Sequence, residues 1–183
     1  MVQRYNRLAR LLHWTMAVLV AIQVAFGFAA DWLERPRSRD ALDIHAQLGL
    51  IVLALALLRL SWRLSHPPPP WPSELSAWHR GAASLVHRAL YVLLLVLPLS
   101  GYALWMWIGA EVQFLGGPAI PFPDLAGEDE FWRGVAGYTH EYAVYALGAL
   151  LTLHIGAALM HEMKGGFRPI RDRMRYRGFF RIT

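Results

Sequence analysis

The stretch that decides the fold is residues 138–163, YTHEYAVYALGALLTLHIGAALMHEM, which is almost wholly apolar between its histidines. A helix needs about 20 apolar residues to cross a hydrocarbon layer about 30 Å thick, and this stretch is long enough. It carries His140, His154 and His161, and a polar ring in hydrocarbon is costly unless it has a partner. The stretch therefore predicts a transmembrane helix whose deeper histidines face other groups inside a bundle.

Three further stretches have the same apolar character, and the chain as a whole is 56% hydrophobic with a mean hydropathy of +0.31. This composition favours an integral membrane protein. We predict an all-α fold in which residues 1–183 form one domain, an integral membrane four-helix bundle. Arg59 and Arg63 fall in the last turns of the second span, where we expect their side chains to snorkel to the headgroups. The predicted spans are Leu11–Ala30, Ile44–Leu64, Leu85–Ile108 and Thr139–Met160.

The charged residues predict the orientation of the bundle. Most of the 18 basic residues fall on the side of the two termini, whereas most of the acids fall on the other side. The positive-inside rule then places both termini in the cytoplasm of a bacterial cell, with the chain as a multi-pass inner-membrane protein. The tail after Met163 is basic with interspersed aromatic residues. We interpret it as a segment that binds anionic membrane lipid, with no role in nucleic-acid binding.

Other features narrow the class of protein. The first apolar region is longer than that of an ordinary signal peptide, so we expect it to stay in the mature chain. The chain has no cysteine, which excludes disulfides, thiolate metal sites and covalent haem attachment. The connection Gly109–Tyr138 is rich in Gly and Pro and is expected to fold over the outer mouth of the bundle, and Pro98 is expected to bend the third helix.

Four histidines fall at two depths of the predicted bundle. His140 and His154 are 14 residues apart, which is about 21 Å along a helix and within about 40° of the same face. His45 shares the outer level with His140, and His13 shares the inner level with His154. Two inward-facing histidines from different helices suit the fifth and sixth positions of a b-type haem iron, which favours electron transfer over oxygen binding. The sequence thus predicts two bis-histidine haems enclosed by the bundle, each iron bound by one pair.

The residues alone leave alternatives open. The histidines of each pair can satisfy one another by hydrogen bonds without a cofactor. His87 begins the third span at the inner level and competes with His13 as the partner of His154; otherwise we expect it beside a haem propionate or a quinone. Small residues near the ligands are expected to let flat macrocycles approach the backbone. These residues are Gly49, Gly148 and Gly156.

Four motifs in order resemble those of the bacterial dihaem cytochrome b561 family of small inner-membrane electron carriers. They are RLLHW (10–14), IHAQLGL (44–50), VHRALYVLLLVLPLSGY (86–102) and THEYAVYALGALLTLHIGAAL (139–159), and they span nearly the whole chain. The resemblance implies haem ligation by the same four histidines and exchange of electrons with ubiquinone. It also implies oxidation of superoxide to oxygen on the outer side, since the best-known members are described as superoxide oxidases.

These expectations lead to a candidate quinone site and to two alternative functions. We expect ubiquinone to meet a haem edge near a membrane interface, with contacts chosen by depth and residue type. One alternative is a haem b membrane-anchor subunit that relays electrons between a partner dehydrogenase or hydrogenase and the quinone pool. The other is a structural or transport bundle without haem. The candidate quinone contacts are His87, Arg88, Tyr91 and Trp14.

Overall fold

Long apolar runs give this chain four long helices. The computed structural model describes residues 4–73, 75–108, 112–113, 119–120, 129–163 and 173–174. Each helix is long and apolar enough to cross a membrane, which confirms the predicted all-α membrane fold. The helices are α1 (Arg7–Trp32), α2 (Arg37–Ser65), α3 (Ala77–Ile108) and α4 (Glu130–Met163).

The connection between α3 and α4 contains a small hairpin. Strand β1 (Val112–Gln113) pairs antiparallel with β2 (Ala119–Ile120), with Val112 opposite Ile120. The rest of residues 109–128 lies outside the described residues, as does the tail after Met163 except for residues 173–174. The predictions of a loop over the bundle mouth and of a lipid-binding tail therefore stay predictions.

Helix α4 begins earlier than the sequence predicted. It starts at Glu130, so the expectation that residues 130–138 belong to the connection is wrong. The Asp129 carboxylate accepts hydrogen bonds from the backbone N–H groups of Phe131 (3.0 Å) and Trp132 (3.4 Å). This is an N-cap, which satisfies N–H groups that have no partner within the helix. The cap fixes the start of the helix well before its apolar part.

Another side-chain cap ties the start of α1 to the end of α2. The side-chain oxygen of Asn6 accepts from the backbone N–H of Ala9 at 2.8 Å and from the indole N–H of Trp62 at 3.2 Å. The two helices are therefore antiparallel neighbours, and their register places the residues of α1 against defined partners on α2.

The helices pack mainly in chain order. Close backbone packing joins α1 to α2, α2 to α3 and α3 to α4, whereas in the described part of the chain α4 packs closely with neither α1 nor α2. Side chains cross this wider gap at mid-depth, where Val20, Val52 and Leu147 form a buried apolar cluster. Each of the three lies seven residues, or about 10 Å of helix, from a histidine of the predicted pairs. An apolar layer thus separates the two histidine levels.

The two ends of the bundle differ in charge. The end where α1 and α3 begin is called the basic end, and the opposite end is called the acidic end. Every acidic residue whose side chain the structure describes lies at the acidic end: Asp31, Glu34, Asp40, Asp43, Asp129, Glu130 and Glu141. The described arginines of the basic end are Arg4, Arg7, Arg10, Arg59, Arg63, Arg80, Arg88 and Arg173.

Large apolar side chains cover the outside of the bundle. Trp32 is 86% exposed, Trp78 is 78% exposed and Leu64 is 77% exposed. Contiguous exposure of this kind is unfavourable in water but matches a hydrocarbon solvent with aromatic residues near the interfaces. The surface agrees with a chain embedded in a membrane.

Candidate functional site: two histidine pairs

At the acidic end, His45 on α2 and His140 on α4 face each other across the gap between their helices. Their ring centroids are 6.0 Å apart and their planes are inclined by 79°. The Nδ1 atom of His45 lies 2.9 Å from the carbonyl oxygen of Gln23, and that of His140 lies 3.0 Å from the carbonyl oxygen of Leu97. A carbonyl only accepts, so Nδ1 carries the proton and donates in both rings. Each Nε2 is therefore left with a free lone pair.

A glycine beside each carbonyl lets the ring approach the backbone. Gly27 lies one helical turn after Gln23, and a Cβ atom added there would be 3.0 Å from Cε1 of His45. Gly101 lies one turn after Leu97, and its Cβ would be 3.1 Å from Cε1 of His140. Contacts this short are tighter than most that Cβ atoms make, so each ring would have to shift by a few tenths of an ångström. The two histidines are thus held by the same arrangement, a helix carbonyl followed four residues later by a glycine.

Two further polar side chains, those of Gln23 and Ser100, hydrogen bond to the acidic-end histidines. The Gln23 side-chain amide donates to the backbone carbonyl of His45 at 2.7 Å, so Gln23 holds His45 from both its side chain and its backbone. The Ser100 hydroxyl lies 3.2 Å from Nδ1 of His140 and donates to the Leu97 carbonyl at 3.0 Å. Partners of this kind fix the orientation and the tautomer of a metal-binding imidazole.

At the basic end, His154 on α4 has two histidine neighbours. His13 on α1 lies with its ring centroid 6.2 Å away at 76°, and His87 on α3 lies 5.2 Å away at 73°. The Nδ1 atom of His13 is 3.0 Å from Nη2 of Arg59. A guanidinium only donates, so this Nδ1 accepts and the proton of the neutral ring resides on Nε2. The expectation that Arg59 snorkels to the headgroups is wrong, because its side chain turns inward to His13.

Of the four candidate quinone contacts, two lie beside this histidine cluster, one belongs to it and one is exposed. The Trp14 ring is 5.3 Å from the His13 ring, and its indole N–H donates to the carbonyl of Met174 at 3.0 Å. The Tyr91 ring lies under the Arg59 guanidinium at 5.4 Å. His87 is itself part of the cluster and lies parallel to Trp71 at 6.5 Å. Arg88, by contrast, is exposed.

The spacing of both predicted pairs fits a metal ion between the rings. With metal–nitrogen bonds of about 2.0–2.1 Å, two imidazoles on opposite sides of one metal have centroids roughly 6.3 Å apart. The observed 6.0 and 6.2 Å agree with this value, whereas the 5.2 Å between His87 and His154 is short. No group of three or more His, Cys, Asp or Glu side chains suited to a metal occurs among the described residues. Two protein ligands suit a haem, because the porphyrin supplies the remaining donors.

At the basic end, metal binding requires a change in the tautomer of His13. Coordination through Nε2 of His13 requires the proton to move to Nδ1, where it would point at the Arg59 guanidinium. Two donors cannot share a hydrogen bond, so Arg59 must then find another acceptor. At the acidic end both rings already have the tautomer that coordination through Nε2 requires.

Comparison with known proteins agrees with this geometry. Residues 4–169 match the family model described as prokaryotic cytochrome b561. The chain belongs to the prokaryotic cytochrome b561 family. Cytochrome b561 homolog 1 of Escherichia coli (strain K12) is 32% identical over 167 residues, which are 87% of this chain and 90% of that protein. Cytochrome b561 homolog 2 of the same organism is 29% identical over 168 residues, 87% and 85% of the two chains.

A third relative has a name that specifies an activity. It is the protein called "Probable superoxide oxidase CybB" of Yersinia pestis, which is 31% identical over 163 residues, 87% of this chain and 89% of that protein. Membership of the family establishes the general function of this chain as electron transfer in a membrane with b-type haem. The predicted resemblance is thereby confirmed.

Sequence reasoning missed several residues of the site. Gly27 and Gly101 lie beside the histidine rings, whereas a Cβ atom added at Gly49 would be 3.1 Å from Nε2 of Gln23. A Cβ atom at Gly148 or Gly156 would meet nothing within 4 Å among the described residues. Arg59 was treated as a boundary residue, although an arginine two turns inside a span is itself a signal of an inward partner.

Proposed function

We propose that this chain is a dihaem b-type cytochrome that passes single electrons across the bacterial inner membrane to ubiquinone. The observation that carries the proposal is the pair of 6.0 and 6.2 Å imidazole spacings, one at each end of the bundle and both completed by α4. The family binds b-type haem, and two pairs at two depths give room for two such groups. Histidines at both ends would let electrons cross most of the membrane within one chain.

We assign His45 and His140 to one haem and His13 and His154 to the other. Bound haem would supply reversible one-electron chemistry. The protein's part is to present Nε2, hold the proton on Nδ1 and exclude water from the iron. Gln23, Ser100 and the two helix carbonyls do this at the acidic end.

We place the quinone site at the basic end, which the positive-inside rule assigns to the cytoplasm. His87 and Tyr91 border the inner pair there, and Trp14 covers His13. A quinone needs two electrons and two protons to become a quinol. Two single-electron transfers from the acidic end and two protons from the basic-end solvent would supply them.

We propose superoxide as the electron donor at the acidic end, supported by the name of the Yersinia pestis relative. Each superoxide would give up one electron and leave as oxygen, so two are consumed for each quinone. The described acids of this end repel an anion, which makes the encounter slower than on a basic surface. Arg35, Arg37 and Arg39 precede and begin α2 at this end and offer local cations.

Anaerobic stopped-flow spectroscopy of the purified protein tests the proposal. Superoxide should reduce the haem in a fast phase, seen in its absorption bands, and a soluble ubiquinone analogue should then reoxidise it. Haem that superoxide fails to reduce would exclude superoxide as the electron donor. If, in addition, a dehydrogenase co-purifies with the chain and reduces its haem, the chain is a membrane-anchor subunit and not a superoxide oxidase. Purified protein without haem bands would exclude both.

A further inference from the structure

We propose that Arg59 makes the basic-end haem the electron-accepting member of the pair, so that electrons run from the acidic end to the basic end. The inference rests on the proposed two-haem function and adds to it the residue that sets the relative potentials of the two haems. It concerns relative reduction potentials, which the imidazole spacing alone leaves open.

Among the described residues, Arg59 is the cation that contacts an inner histidine directly. Its Nη2 atom lies 3.0 Å from Nδ1 of His13, and its guanidinium lies over the Tyr91 ring at 5.4 Å. The residue belongs to the last two turns of α2 and is half-buried, so its charge is only partly screened by solvent. When His13 binds a metal through Nε2, Arg59 exchanges this hydrogen bond for another acceptor, but its charge stays beside the pair that His13 completes.

Two more guanidinium groups lie behind Arg59. Arg63 donates to the Tyr5 hydroxyl at 3.3 Å, and its guanidinium is 5.7 Å from the centre of that ring. Arg173 is only 5% exposed and lies over the rings of Tyr5 at 5.6 Å and Trp71 at 5.1 Å. Trp71 in turn lies parallel to His87. Through Trp71, the Arg173 guanidinium therefore adjoins the basic-end cluster.

The described part of the protein gives these cations no acidic neighbour. All acidic residues with described side chains lie at the other end of the bundle, and the one ion pair found among the described residues joins Arg133 to Glu130 there. The positive charge around His13 and His87 is therefore offset by no carboxylate that the structure describes.

Among the residues that the structure describes, the cavity beside the acidic-end pair is lined by no charged side chain. Its lining includes Gln23, Tyr102 and Trp105. Both Nδ1–H groups donate to backbone carbonyls, which makes an imidazole more basic and a stronger donor to a metal. A stronger donor stabilises the oxidised, more positive iron. The strong donors lower the potential of this site, and none of the described residues that line its cavity is a cation that would raise it.

The cations at the basic end act in the opposite sense. Reduction removes one positive charge from the haem, so a nearby cation favours the reduced state. With an effective dielectric constant of about 20, a unit charge about 10 Å away changes the ratio of reduced to oxidised haem on the order of tenfold. For a one-electron couple, tenfold corresponds to about 59 mV.

Optical potentiometry of the purified protein tests the inference. The His140→Ala variant retains only the basic-end haem, and the His13→Ala variant retains only the acidic-end haem, so each midpoint is assigned separately. We expect the basic-end midpoint to be the higher of the two. In the His140→Ala background, Arg59→Gln should lower the midpoint of the remaining haem by at least the equivalent of a tenfold change in the ratio of reduced to oxidised haem. Arg59→Lys retains the positive charge and should lower this midpoint much less.

Arg7→Gln is the matched control, since Arg7 is an exposed arginine of the same end that should not affect the midpoint. If Arg59→Gln does not bind haem, Arg63→Gln takes its place and should lower the midpoint in the same direction by less. A basic-end midpoint below the acidic-end one overturns the inference, as does an unchanged midpoint in the arginine variant that binds haem. Absence of a second haem from the wild-type protein would instead disprove the proposed function.

Discussion

The two ends of this bundle hold their histidine pairs with different hydrogen-bond partners. At the acidic end each histidine has a carbonyl acceptor and a glycine beside its ring, and both rings already have the tautomer that a metal requires. At the basic end three imidazoles share one level, and a guanidinium holds one of them in the opposite tautomer. In the proposed assignment, the acidic-end rings therefore already have the proton positions that haem binding requires. The basic-end rings would have to rearrange, and polar groups for the exchange of electrons and protons lie beside them.

The largest expected effect comes from removing one histidine of each pair. His140→Ala and His154→Ala should each lower the haem content from two per chain to one, because a single imidazole holds the iron far more weakly than two. The pyridine haemochrome assay measures the content per protein. His79→Ala, which changes an exposed histidine at the start of α3, is the control and should leave the content at two. Unchanged haem in the His140 variant would refute the acidic-end assignment.

The next prediction decides which histidine pairs with His154. The His13 ring lies at the spacing expected for two ligands of one metal, and the His87 ring lies closer. His13→Ala should therefore lose the basic-end haem, whereas His87→Ala should keep both haems and slow reoxidation by the ubiquinone analogue several-fold. Haem content and stopped-flow traces of the two variants provide the measurement. If only His87→Ala loses the basic-end haem, then His87 is the ligand that pairs with His154 and His13 is not.

A smaller effect should follow from adding a methyl group beside the acidic-end rings. In Gly27→Ala or Gly101→Ala the new Cβ atom would crowd the imidazole at 3.0–3.1 Å and push its Nδ1 away from the carbonyl. Disturbing such outer partners typically costs 10–100-fold in metal affinity. Haem retention during dialysis against apomyoglobin measures this loss.

Gly81→Ala is the matched control for the two glycine variants. It makes the same substitution in a helix, at a position where a Cβ atom would meet nothing within 4 Å among the described residues. It should keep both haems and gain up to about 1 kcal/mol of helix stability. Equal haem retention in all three variants would show that the glycines do not position the rings.

How far the sequence predicted this molecule depends on the kind of signal. Hydropathy and helical period act along one chain segment, so the four spans and the shared face of His140 and His154 were predictable. Which histidine partners His154, and which glycine lies beside a ring, depend on the register between helices. Gly27 contacts a histidine of the next helix, and nothing in its own helix marks that contact. The direction of the Arg59 side chain was missed for the same reason, since snorkelling and an inward hydrogen bond are both open to an arginine near a span end.

The smallest expected effect concerns the acidic end and its proposed anionic substrate. Raising the ionic strength from 0.01 M to 0.15 M shortens the Debye length from about 30 Å to about 8 Å, which screens the repulsion between superoxide and the acids. The rate of haem reduction by superoxide should therefore rise about two-fold with salt. Glu141→Gln removes an exposed carboxylate next to His140, so it should raise the low-salt rate and weaken the salt dependence. Arg7→Gln, at the other end of the bundle, should change neither. A rate that falls with salt would instead show that Arg35, Arg37 and Arg39 attract the anion locally, and that the net charge of an end predicts the encounter less well than the few charges around its entrance.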